Sequence, residues 1–172
     1  MSDANATMRE IYITGLKNAH ALENQAVQIL SRQVERLENY PEMEARLRQH
    51  IDESKVQGQR LEEILQGLGS DYSAVKDAVT GLMGNLAALM HAPAQDEIIK
   101  NTFANYAFEH YEIAAYKSLI TMSEQVGHTG VIPLLNQSLS EEVSTAQFIE
   151  AHLASTTQRY MQLTAAGQKA GV

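Results

Sequence analysis

Glu109 and Glu112 stand three positions apart in the run AFEHYEIAAYKS, residues 107–118, which otherwise reads as an aromatic and apolar helix. A carboxylate facing a dry core is costly unless it is paired, protonated or bound to a metal. Three positions along a helix turn a side chain by about 60°, so the two carboxylates can face one space. Residues seven apart differ by only about 20°, so flanking residues show which way a glutamate points. Glu23 lies midway between Leu16 and Leu30, and Glu142 is flanked by Leu135, Leu139, Ala146 and Ile149. Both read as inward-facing. Glu53 shares its line with His50, Gln57 and Arg60, beside the apolar stripe of its helix instead of on it.

Carboxylates converging in a core repel and raise one another's pKa values unless cations neutralise them. Two divalent ions would supply four positive charges, the arrangement of di-iron and di-manganese carboxylate bundles. Such sites usually add Glu-x-x-His pairs, and here Glu53 is followed by Val56, Asp52 by Lys55, Glu141 by Ser144 and Glu142 by Thr145. The imidazoles are expected to be missing, and an oxygen-only set favours hard ions such as magnesium, manganese or calcium, with iron not excluded. The competing reading is that these glutamates lie near apolar stripes while their heads reach water, or that Lys55 supplies the neutralising charge. His110 points about 100° away from Glu109 and reads as a packing or groove residue. Tyr106, Tyr111 and Tyr116 read as packing residues.

The elements that must position these residues are long helices. Helix 1 is expected from about Asn5 to Leu37 and helix 2 from about Glu42 to Leu68, with Asn39 as a cap and Pro41 in the first turn. A shorter crossover helix follows over about residues 70–92. Helix 3 is expected from about Ala94 to Val126, stopping at Gly127-His128-Thr129-Gly130, and helix 4 from Pro133 to about Ala154. A separate short helix through Tyr160 and Leu163 and a frayed tail, AAGQKAGV, complete the chain. The fold class is all-α, and hairpin, crossover, hairpin is the topology of a ferritin-like four-helix bundle with one long connection. One domain over residues 1–172, with its core at about 5–165, suits the 172-residue length and 44% hydrophobic content.

The net charge of -8, with scattered basic residues, argues against nucleic acid or an anionic membrane as the main partner. The absence of cysteine excludes disulfides, thiolate metal sites and cysteine nucleophiles on this chain. No run reaches the roughly 20 apolar residues of a spanning helix, and MSDANATMRE reads as no secretory signal. A cytoplasmic protein is expected.

The runs ENYPEMEARLRQHIDESKVQGQRLEEIL, FEHYEIAAYKSLITMSEQVG and PLLNQSLSEEVSTAQFI resemble the YciE/YciF-like bacterial proteins of the ferritin-like superfamily, the YciE members more closely. The resemblance spans about Tyr12 to Ala154. It implies a ferritin-like bundle, commonly a homodimer, linked to bacterial stress responses. It also implies metal ligands at Glu23, Glu53, Glu109, Glu112 and Glu142; of these we assign Glu23 and Glu142 as terminal ligands and take Glu109, Glu112 and Glu53 as candidates for bridging. A dinuclear iron or manganese centre is the cofactor expected, with oxygen or peroxide chemistry if the protein is an enzyme and no substrate assigned. The resemblance implies a histidine after the helix 2 acidic pair in YciF-like members, where this chain has Lys55. The alternative of another class is a metal-free structural or interaction module with a vestigial acidic site.

Overall fold

A computed structural model describes residues 3–71 and 96–171, and among these, apolar residues at three- and four-residue spacing wind the chain into four long helices. These are α1 (Asp3–Val34), α2 (Pro41–Gly67), α3 (Glu97–Gln125) and α4 (Ile132–Ala165), with a 3-10 turn at Thr129–Val131 before α4. Pro41 opens α2 and Pro133 lies in the first turn of α4, where a missing N–H costs nothing. Gly69, Gly127 and Gly167 follow α2, α3 and α4 with φ of 68, 74 and 66°. In each case the next residue's N–H returns to the last turn, as from His128 to the Ser123 carbonyl at 2.8 Å. Only a residue without a Cβ takes that left-handed turn freely.

Neighbouring helices run antiparallel. Arg9 Nη2 near the start of α1 donates to the Leu68 carbonyl just past α2 at 2.6 Å. Asn105 Nδ2 near the start of α3 donates to Gln33 Oε1 near the end of α1 at 2.8 Å. Arg60 late in α2 pairs with Glu141 early in α4 at 2.7 Å. The end of α2 therefore lies at the opposite end of the bundle from the start of α3. The crossover helix expected over 70–92 falls almost wholly on residues outside those described.

The all-α bundle agrees with the sequence expectation, with three corrections of detail. The short helix through Tyr160 and Leu163 is the continuation of α4, which runs unbroken because no Gly or Pro interrupts it between Leu134 and Ala165. Asn39 does not cap α2; its amide donates to the Lys169 carbonyl at 2.9 Å, and Tyr40 holds the N-cap position. The tail after Gly167 lies against the body, where the Tyr40 hydroxyl donates to the Ala170 carbonyl at 2.5 Å.

Two apolar layers fill the bundle. One holds Tyr12, Leu16, Leu61, Leu65, Leu119 and Leu135; the other holds Leu30, Val34, Leu47, Ile51, Ile98 and Ile149. The sequence joins them through heptads, Leu16–Glu23–Leu30 on α1 and Leu135–Glu142–Ile149 on α4, so each glutamate is carried to the level between the layers. α2 passes α1 at this level with room for a side chain at Gly58: a Cβ built there would meet Glu23 Cβ at 3.9 Å and His20 Cδ2 at 4.0 Å, ordinary contact distances. Gly58→Ala is therefore expected to stabilise the protein by about 0.5–1 kcal/mol, the helix-propensity difference, in urea unfolding monitored by circular dichroism.

Candidate metal centre

Between the apolar layers, Glu23 from α1, His50 from α2, Glu109 and Glu112 from α3 and Glu142 from α4 are all buried, none more than 2% exposed. One ligand atom from each of His50, Glu109, Glu112 and Glu142 lies within 4.8 Å of the others. His50 Nε2 is 3.1 Å from Glu109 Oε2 and 3.5 Å from Glu142 Oε2, in neither case with hydrogen-bond geometry. Glu23 sits beside this group, with the Tyr116 hydroxyl donating to its Oε1 at 2.5 Å.

Burial drives the electrostatics. It lifts the Glu23 carboxyl to about 8, against the Tyr116 hydrogen bond and the positive charge available on His50. It also pushes Glu112 well above the carboxylate range, with Glu23, Glu142 and Glu109 adding repulsion. Glu142 moves the same way, though His50 opposes the rise. Burial draws His50 down, yet the Glu109 charge and the bond to Glu53 leave it well above the ordinary imidazole value. These shifts state how strongly the cluster seeks positive charge.

Of the expected ligands, Glu23, Glu109, Glu112 and Glu142 are gathered here and Glu53 is not. Glu53 meets the Nδ1 edge of His50 at 3.2 Å and is held by Arg46 at 2.9 Å and Gln49 at 2.7 Å. Burial works against its ionisation, but the bonds from His50 and Arg46 prevail and hold its carboxyl at about 2. Lys55 does not neutralise the cluster; it is exposed and paired with Asp52 at 2.8 Å. His110 is exposed and stacks edge-on against Tyr106, clear of the site. Tyr116 does more than pack, since its hydroxyl anchors Glu23.

The expectation that imidazoles are missing is overturned by His50. A search for Glu-x-x-His passes over it because the chain carries the reverse order, His50-x-x-Glu53. The signal available was its register: three residues after Leu47 and four before Ser54, His50 lies on the inward stripe of α2.

The donor set suits a cation. Glu23 Oε2, Glu109 Oε2, both oxygens of Glu112, both of Glu142 and His50 Nε2 are buried without a hydrogen-bond partner. Buried polar atoms are nearly always paired, so this concentration calls for a proton, water or metal. Carboxylates with one imidazole are ligands for divalent manganese, iron or zinc.

The fold and site thus define an all-α bundle with a buried His/Glu cluster that could hold a metal ion. The chain belongs to the family described as a domain of unknown function, DUF892, which its residues 7–162 match. It is 24% identical over 143 residues to Protein YciF of Escherichia coli (strain K12), covering 81% of this chain and 86% of that protein. Among solved structures, a protein from Xanthomonas campestris pv. campestris is 25% identical with a TM-score of 0.77, covering 92% of this chain and 99% of that one. YcfI from Rhodopseudomonas palustris is 26% identical with a TM-score of 0.74, covering 87% and 97%. The E. coli stress protein YciF shares the fold with a TM-score of 0.76 at 20% identity, over 88% and 98%. These comparisons support the YciF-like expectation and lend nothing to the closer likeness to YciE. Among the described residues no helix is long and apolar enough to cross a membrane.

Proposed function

We propose that this chain is a stress-associated protein of the ferritin-like superfamily whose bundle holds a dinuclear iron or manganese centre on Glu23, His50, Glu109, Glu112 and Glu142. The observation that carries the reading is the set of buried, unpartnered carboxylate oxygens facing one buried imidazole nitrogen. Four ionised carboxylates balance two divalent ions when His50 is neutral. The E. coli relative, named a stress protein, supports the physiological setting; a cytoplasmic homodimer completes the proposal.

A bound centre of this kind supplies electron transfer toward oxygen or peroxide. The chain's own contribution is to hold the donors at fixed depth from four helices, to exclude water with apolar layers on either side, and to fix Glu23 through Tyr116. The second reading, a metal-free structural or interaction module, draws on His50: as an imidazolium it would offset one carboxylate while the raised carboxyls keep their protons.

Metal analysis of protein purified without chelator and then loaded with Fe(II) or Mn(II) separates the two. About two ions per chain, sharply reduced in Glu112→Ala, is the expected result. Fewer than about one ion per chain in both samples after loading overturns the metal reading.

A further inference from the structure

The two ring nitrogens of His50 meet different surroundings. Nδ1 lies 3.2 Å from Glu53 Oε2 and 3.1 Å from Thr145 Oγ1. Glu53 already receives Arg46 Nη1 and Gln49 Nε2, and an ionised carboxylate can only accept. Thr145 Oγ1 accepts Arg46 Nη2 at 2.5 Å and gives its single proton to the Glu141 carbonyl at 3.0 Å. Both neighbours of Nδ1 are therefore acceptors, and a ring nitrogen between two acceptors must carry a proton.

We infer that Glu53 is a positioning residue and not a ligand: with Thr145 it keeps a ring proton on Nδ1 and turns Nε2 into the carboxylate cluster. Arg46, buried and reaching from α2 to Thr145 on α4, holds both acceptors at once. The ring is thereby fixed from two helices, and its metal-facing atom is set before any ion arrives. A carboxylate behind a ligating imidazole orients the ring and raises its basicity. The consequence for affinity rests on the metal reading above; the placement of the proton does not.

The test uses full-length, isotopically labelled wild-type, Glu53→Gln and Glu53→Ala proteins, with Zn(II) as a diamagnetic probe. Zinc affinity is measured by competition with a coloured chelator, and the His50 ring is followed by proton–nitrogen correlation spectra. In Glu53→Ala, affinity is expected to fall about 10–100-fold with the number of ions per chain unchanged. In Glu53→Gln, whose amide oxygen still accepts, most of it is expected to return. In chelated protein the downfield Nδ1–H resonance should be present in wild type, lost in Glu53→Ala and partly retained in Glu53→Gln. Loss of one bound ion from both variants would make Glu53 a ligand and overturn the inference. An unchanged Nδ1–H resonance in Glu53→Ala would overturn it as well. If wild type takes up no zinc, the chelated spectra alone decide the role of Glu53, and the Fe(II) and Mn(II) loading above decides the metal reading.

Discussion

Chelated protein is expected to lose stability as pH rises from about 5 to 8, and loading with a divalent metal is expected to abolish the loss. Glu23 has a folded pKa near 8 against an ordinary value of 4.5, so its proton favours the folded state. The stability this gives is complete below about pH 4.5, where both states are protonated, and is gone once the folded group ionises near pH 8. At about 1.4 kcal/mol per pH unit, Glu23 alone amounts to a swing on the order of 5 kcal/mol. For a chain of this length that is a melting-temperature fall on the order of 10 °C. Glu112 and Glu142, also raised by burial, act with the same sign. So does His50, whose raised pKa extends its contribution upward from the ordinary imidazole range. Glu53, held near 2, acts in the opposite sense, but below this window. Metal replaces the protons with permanent positive charge, so melting curves of loaded protein should be flat across the range. A flat profile in chelated protein would show that the carboxylates are solvated and not converging.

Glu112→Gln is expected to move stability in opposite directions in the two forms. Both Glu112 oxygens lack partners, and its neighbours Glu23, Glu142 and Glu109 are acceptors. In chelated protein at alkaline pH, once the cluster is ionised, the amide removes one member of the repelling set and donates two N–H groups to the others. A gain of roughly 1–3 kcal/mol follows, the usual worth of satisfying buried polar groups and hydrogen bonds to charged ones. In metal-loaded protein the same change removes a proposed ligand. The stabilisation from mass action, about 2.7 kcal/mol when free ion is 100 times its dissociation constant, should largely vanish. Thermal melts of both proteins with chelator and with Mn(II) check both signs, and destabilisation in both forms would mean that Glu112 serves packing alone.

The sequence by itself determined four helices and the depth of four carboxylates. Leu16–Glu23–Leu30 and Leu135–Glu142–Ile149 are heptads whose outer members must be buried, so the middle residue has no other way to face. Glu109 and Glu112 follow from the same periodicity on α3. That Glu53 stood beside its stripe was also legible, and the structure places its carboxylate at the rim, behind His50. The tertiary structure alone decided which partner each group meets. Tyr116 reaches Glu23 across 93 positions of chain and Thr145 reaches His50 across 95. Periodicity along one helix fixes the direction of a side chain, but not the register at which a second helix passes it. That register is set by the packing of the two apolar layers around the cluster, and it turned His50 from a neighbour of Glu53 into a member of the site.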